Sequence, residues 1–335
     1  FRIFVRVRPL LSGEASGGEY SALATPSPRQ LVCHDTRLAR SGRRLSVVHH
    51  WYFADDVFGE KAKDENVCDG VIEPLLQRVA SGAGDATALL YGQTGAGKTY
   101  TLSSLLEHVA SHLDSAAASS GGGSSVEVTF FEVASKGCMD LLNEREKVAL
   151  RSDENDVVHA CGATTRVVKS GEELRTTLAQ GLQMRSTVKT QANPISSRSH
   201  AICLLHFTGG TGETTGEAIS TPRTLRIVDL AGSERNYETL YEKSREFQRD
   251  TSAINKSLMA LKDCFRESAR LRELCARKKR GEKSGGKGGS GSGGVYAAAR
   301  AATRGDTSAA AGMVRMRASR EEADGAAQHI DLTPK

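Results

Sequence analysis

Apolar and polar positions divide the chain into alternating strand-like and helix-like stretches as far as about Phe265, beyond which the pattern fades. At the N-terminus, Phe1-Arg2-Ile3-Phe4-Val5-Arg6-Val7 sets Arg2 and Arg6 among apolar and β-branched residues and predicts a strand over Phe1–Val7. Apolar runs predict further strands at Ala86–Tyr91, Val126–Val133, Ala201–Phe207 and Leu225–Val228. Leu102, Leu105, Leu106, Val109 and Leu113 instead recur at helical spacing, which predicts a helix with one buried stripe. Ser119–Ser125 (SSGGGSS) and Thr208–Gly216 (TGGTGETTG) have the composition of exposed loops or hairpin tips. The alternation implies an α/β fold with a central mixed β-sheet flanked by helices on both faces. No internal repeat interrupts it.

At one junction the pattern carries chemistry. Between the strand Ala86–Tyr91 and the helix of Leu102–Leu113 lies Gly92-Gln93-Thr94-Gly95-Ala96-Gly97-Lys98-Thr99, a match to G-x-x-x-x-G-K-[ST]. Glycines let successive backbone N–H groups curl around phosphate oxygens without Cβ clashes. The helix that follows adds its unpaired N-terminal N–H groups and the positive end of its dipole. Lys98 is placed to reach the β- and γ-phosphates, and the Thr99 hydroxyl to ligate Mg²⁺. A glycine-rich turn that merely precedes a helix is the plainer reading, but both flanks are of the required kind. The segment therefore points to a P-loop NTPase.

Two further motifs have the chemistry of a γ-phosphate sensor. Asp229-Leu230-Ala231-Gly232 ends the apolar run Leu225-Arg226-Ile227-Val228, and an Asp at the end of a buried strand holds Mg²⁺, usually through water. The Gly232 N–H faces the γ-phosphate with no side chain in the way. Asn193-Pro194-Ile195-Ser196-Ser197-Arg198-Ser199-His200 sets two adjacent hydroxyls beside an Arg, as suits a loop that completes Mg²⁺ coordination. Taken singly, the first could be structural punctuation and the second a surface turn. Their order after the phosphate loop favours the functional reading.

Composition narrows the setting. The chain has 335 residues with 39% hydrophobic content, enough for one large α/β domain or two ordinary ones. No run of 18 apolar residues occurs, so no membrane-spanning helix is expected. Phe1 in place of Met, with no secretory pattern after it, implies a start inside a longer protein. Seven cysteines without a C-x-x-C pair suit free thiols in a reducing cytosol. The net charge of +5 is uneven: between Phe265 and Lys287 nine Lys or Arg face three Glu. Such a tract is ordinarily a solvated segment, and gains meaning only beside a polyanionic partner. Gly281–Gly294 has linker composition and Tyr296–Ala327 has few large apolar residues, so a disordered tail or insertion is expected over 276–335, after a domain over 1–275.

These motifs, in this order, resemble the kinesin motor domain. Arg6-Val7-Arg8-Pro9 resembles the family's adenine-side R-x-R-P, and Tyr52–Phe58 (YFADDVF) its F-x-F-D-x-V-F. Tyr91–Leu102 (YGQTGAGKTYTL) is similar to its phosphate loop. Phe130-Phe131-Glu132-Val133 with Asp140-Leu141-Leu142 is similar to F-F-E-I…D-L-L. Asn193–His200 fits N-x-x-S-S-R-S-H, Val228–Arg235 (VDLAGSER) the second switch, and Ile254-Asn255-Lys256-Ser257-Leu258 the I-N-K-S-L helix.

The resemblance implies a microtubule-binding ATP hydrolase, cytoplasmic and associated with the cytoskeleton, with no membrane or nucleic-acid partner. It places ATP against Arg6, Arg8, Pro9 and Tyr100 at the base and Gly92, Gln93, Thr94, Gly95, Ala96, Gly97 and Lys98 at the phosphates. Thr99, Ser197 and Asp229 fall to Mg²⁺, Asp229 through water. Asn193, Ser196 and Gly232 would line the γ-phosphate, and Arg198 with Glu234 would bridge the two switches. A helix through Ile254–Arg270 would lie on the acidic microtubule, presenting Lys256, Lys262, Arg266, Arg270 and Arg272. Leu258-Met259-Ala260-Leu261-Lys262-Asp263-Cys264-Phe265-Arg266 resembles internal-motor kinesins, which depolymerise microtubule ends, whereas their K-V-D tip is not evident in Arg43–His49. The family's P-Y/F-R-x-S-K-L-T does not follow I-N-K-S-L, and Asn236–Thr251 lacks the usual glycines. A non-motile, nucleotide-gated microtubule binder on a degraded motor fold is the alternative. A Ras-type GTPase lacks support, because Asn255-Lys256-Ser257-Leu258 has no Asp to read guanine. A myosin-like motor is disfavoured by Ser199-His200 after Ser-Ser-Arg.

Overall fold

The computed structural model describes residues 1–38, 42, 44–120, 125–154, 157–187, 198–208, 223–233, 245–279 and 329–330, in two compact units. The first unit takes Phe1–Val71 together with the two-residue strand His329–Ile330. Its strands are β1 (Phe4–Arg6), β2 (Leu23–Ser27), β3 (Gln30–Leu38), β4 (Leu45–Phe53) and β5 (Asp56–Phe58), and its helices α1 (Ser12–Ser16) and α2 (Asp64–Val71). β2, β3 and β4 form an antiparallel meander, in which β3 and β4 pair from Gln30↔Phe53 to Leu38↔Leu45. β1 pairs in parallel with β5.

The run Tyr52–Phe58 is thus two strands. Tyr52 and Phe53 stay on β3, the Ala54 N–H donates to the Arg29 carbonyl, and Asp56–Phe58 turn to β1. The predicted strand Phe1–Val7 shortens to Phe4–Arg6, because its partner is only three residues long. Val7, Leu31 and Val57 form the core of this unit, with Val5, Tyr52 and Ala54 against them.

The second unit, from Ile72 onward, is a βα assembly. It contains α3 (Glu73–Ala80), β6 (Ala86–Leu90), α4 (Lys98–Ser120), β7 (Ser125–Ala134), β8 (Gly137–Asp140), β9 (Lys147–Ser152), β10 (Val158–Cys161), β11 (Thr165–Val168), α5 (Gly171–Thr187), β12 (His200–Thr208), β13 (Arg223–Asp229) and α6 (Arg245–Lys279). The sheet runs β10-β9-β8-β7-β12-β13-β6, with β11 also on β7. β12 is antiparallel to both of its neighbours, β7 and β13, whereas β13 is parallel to β6, so the sheet is mixed as expected.

Pleating puts Leu89 and Val228 on one face and Ala88 and Ile227 on the other. Leu89 and Val228 pack with Ile254 and Leu258 of α6. Ala88 and Ile227 are buried on the opposite face, and α3 and α4 contact β6 and β13. Leu102, Leu105, Leu106, Val109 and Leu113 are all buried, as the helical spacing requires. α4 continues through Ser120, which trims the loop expected from Ser119: Ala116, Ala117 and Ala118 favour helix strongly enough to carry it on. Gly181 in α5 admits the Phe130 ring, since a Cβ there would stand 2.4 Å from it. All seven cysteines are free thiols.

Candidate functional site

The parallel pairing of β6 and β13 brings two sequence signals to one end of the sheet. Asp229 closes β13 in register with Leu90, the residue that leads through Tyr91 into Gly92. Open α/β sheets bind ligands at this carboxyl edge, where strands hand over to loops and helix N-termini. The loop that leaves β6 turns at Gly95 (φ +80°) and Gly97 (φ +89°), conformations that exclude a side chain by backbone strain. Its amides then lead directly into α4, which begins at Lys98.

The Lys98 ammonium donates to the carbonyls of Gly92 and Gln93, each at 2.9 Å. The Gly92 carbonyl also accepts the Ser233 N–H at 3.1 Å, and Leu90 accepts that of Leu230 at 3.1 Å. The D-L-A-G turn is therefore stitched to the phosphate loop by backbone bonds as well as by sheet register. The Thr99 hydroxyl donates to Asp229 Oδ2 at 3.0 Å. Lys98, Thr99, Gly92 and Asp229 meet, as the motifs imply.

The sequence reading missed Arg185, in the last turn of α5. Its guanidinium donates to Asp229 Oδ2 at 2.6 Å and to the Ser199 carbonyl at 3.1 Å. The Arg185 and Asp229 side chains are 2% and 1% exposed. An unpaired carboxylate so placed would be strongly destabilising, and the arginine supplies its counter-charge. Asp229 Oδ1 is buried and accepts no hydrogen bond among the described residues. That unfilled acceptor beside a threonine hydroxyl suits the water shell of a hard divalent cation, so the residues present fit Mg²⁺.

His200, the last residue of the Ser/Arg motif, opens β12. Its Nδ1 lies 3.1 Å from the Ala231 N–H and its Nε2 2.8 Å from the Ser257 hydroxyl of α6. Burial lowers its pKa below the ordinary histidine value; the Arg185 charge adds to this and the Asp229 charge opposes it.

Of the base-side residues, Arg6, Arg8 and Pro9 belong to the first unit and Tyr100 to the second. Arg6 is paired with Asp64, and Arg8 donates to Glu14 at 2.7 Å and to the Pro9 carbonyl at 3.1 Å. The Arg8 guanidinium holds the Glu14 carboxyl down at about 2. Pro9 is exposed, and Tyr100 in the first turn of α4 is 61% exposed. Arg198 and Gly232 lie among the described residues. Asn193, Ser196, Ser197 and Glu234 lie outside them, as do the predicted loop after Thr208 and the segment 281–328.

Comparison with known proteins agrees with the geometry. A family model described as the kinesin motor domain matches residues 6–275. Diatom spindle kinesin-1 of Cylindrotheca fusiformis is 33% identical over 264 residues, covering 79% of this chain and 41% of its own length. Kinesin-like protein KIF24 of Mus musculus is 33% identical over 273 residues, covering 79% and 19%. Kinesin-like protein KIN-13B of Arabidopsis thaliana is 31% identical over 283 residues, covering 79% and 38%. The chain thus spans about two-fifths or less of the length of these relatives. A solved structure of a fast kinesin has the same fold, with a TM-score of 0.61 at 22% identity over 75% of this chain and 71% of that one.

Proposed function

The chain belongs to the kinesin motor family, and on that footing we propose that it is a microtubule-binding ATPase that couples ATP hydrolysis to movement along microtubules or to depolymerisation of their ends. The observation that carries the reading is the meeting of Lys98, Thr99 and Asp229 at the carboxyl end of the parallel pair β6–β13. The motor domain is assigned to 1–275, with 276–335 as an insertion or tail.

Lys98 and the amides of Gly92–Gly97 bind the phosphates, helped by the N-terminus of α4. Arg6, Arg8, Pro9 and Tyr100 take the base. Thr99 and Ser197 would hold Mg²⁺, with Asp229 through water; the ion supplies charge neutralisation at the phosphates. Asn193, Ser196 and the Gly232 amide position the γ-phosphate. Arg198 and Glu234 draw the two switches together and order the attacking water. Positioning and charge neutralisation are most of what phosphoryl transfer asks of a protein. A cytoplasmic, microtubule-associated location follows from the partner, and no helix among the described residues is long and apolar enough to cross a membrane. The run Leu258–Arg266 favours end depolymerisation as one form of the work.

Steady-state ATPase with and without taxol-stabilised microtubules tests the proposal. Strong stimulation supports it. ATP binding without stimulation supports a non-motile, nucleotide-gated binder instead. Lys98→Ala should abolish turnover while the thermal transition stays in place, and unchanged turnover in that variant would sink the phosphate-loop assignment.

A further inference from the structure

One side chain touches three parts of the second unit that the sequence keeps far apart. His200 lies at the exit of the Ser/Arg motif. Its Nδ1 faces the Ala231 N–H at 3.1 Å, one residue before Gly232, and its Nε2 faces Ser257 Oγ at 2.8 Å. The hydrogen positions follow from the partners. A backbone amide can only donate, so Nδ1 accepts. Ser257 donates its hydroxyl proton to the Ile254 carbonyl at 2.7 Å, so its oxygen accepts from Nε2–H. Both ends thus demand the same neutral tautomer, and the chain Ala231–His200–Ser257–Ile254 runs in one direction from the D-L-A-G turn into α6.

The two elements also share apolar packing: Leu230 and Ala231 bury against Ile254 and Leu258. Packing alone lets a turn slide against a helix, whereas two directional bonds through one ring fix its register. We propose that His200 is a positioning residue that ties the D-L-A-G turn to α6, so that a shift of the turn at the γ-phosphate is passed to the helix and a shift of the helix is passed back. The assignment rests on the reading of the chain as a microtubule-stimulated ATPase, in which α6 faces the partner.

The tie has a pH signature. A doubly protonated ring has no lone pair at Nδ1, and the Ala231 amide then loses its acceptor. From α5 the Arg185 guanidinium opposes that proton, from β13 the Asp229 carboxylate favours it, and α6 presents the Ser257 hydroxyl. Burial is the largest influence and holds the pKa below the ordinary value. The folded state therefore binds this proton less readily than the unfolded chain. The tie is complete above about pH 6.5, the ordinary histidine value, and is lost as pH falls through the lower value of the folded state.

Single substitutions separate the two ends. Asn at position 200 retains an acceptor near Nδ1 but cannot reach Ser257; Gln reaches Ser257 but leaves the Ala231 amide unanswered. In the full chain, Ser257→Ala should leave the basal ATPase within about twofold and lower the microtubule-stimulated rate about fivefold, the factor expected of one neutral hydrogen bond, with KM for ATP unchanged. Ser257→Ala in a His200→Asn background should cost nothing further, because both remove the same link. The stimulated rate of His200→Gln should be reduced and should lose the acid limb of the wild-type pH profile. Full stimulation in both Ser257→Ala and His200→Asn overturns the tie, as does an equal loss of basal and stimulated rates in Ser257→Ala. Hydrogen exchange on adding a non-hydrolysable ATP analogue reads the tie without microtubules. Protection should change together over 230–233 and 254–258 in the wild type, and only over 230–233 in Ser257→Ala. Independent changes in the wild type overturn the tie. A wild type that shows the joint change but no stimulation keeps the tie and rejects the motor reading.

Discussion

Arg185 and Asp229 are both withdrawn from water, which makes each hostage to the other. Removing the guanidinium strands a buried carboxylate, so Arg185→Ala should lower the unfolding free energy by about 3–5 kcal/mol in urea titration. A loss under about 1 kcal/mol would mean that water reaches Asp229 freely. Lysine at 185 should not restore stability fully, since one ammonium cannot serve the Asp229 carboxylate and the Ser199 carbonyl in the fork geometry of a guanidinium. Asp229 was legible in the sequence because it ends an apolar run before a glycine turn. Arg185 was not. It sits among the polar residues Gln183, Ser186 and Thr187 of a helix, 44 positions from its partner, and nothing local marks an arginine that will turn inward. His200 was visible as the last letter of a motif, but its reach to Ser257 depends on how α6 packs.

At the scale of elements, periodicity served well where one face is buried. The stripe of α4 and the strands β6, β7, β12 and β13 lie within a residue or two of their predicted positions, since the alternation that marks them also drives their burial. It failed where pairing partners, not hydrophobicity, set the boundary. The run Tyr52–Phe58 has no turn residue such as Gly or Pro, yet it bends at Asp55 and divides between β3 and β1, because each offers a separate edge. Close approach of elements is equally silent in the sequence. Gly181 in α5 gives no turn signal, but the fully buried Phe130 ring occupies the space of its missing side chain. Gly181→Ala should therefore destabilise by about 1–3 kcal/mol, despite alanine's better helix propensity, and a lowered thermal midpoint would show it. A raised midpoint would mean that α5 shifts to make room.

For the molecule as a whole, α6 offers a row of exposed cations. Lys256, Lys262, Arg266, Arg270 and Arg272 are all exposed, and among the described residues those at 266 and 270 pair with Asp263 and Glu267 at i,i+3. Such pairs are worth at most about 1 kcal/mol and leave the charge available to an acidic surface. Arg270→Glu with Arg272→Glu should slow association with microtubules about tenfold at low ionic strength and leave thermal unfolding in place. The deficit should shrink as salt is added. Co-sedimentation across a salt series would check this, and a salt-independent deficit would point to lost packing. Over generations, the burial of Arg185 with Asp229 makes two positions one heritable unit. Either substitution alone meets a stability barrier, whereas exchange of both for apolar residues is close to neutral. A lineage that abandoned nucleotide chemistry would record it as a joint drift of the two positions to apolar residues.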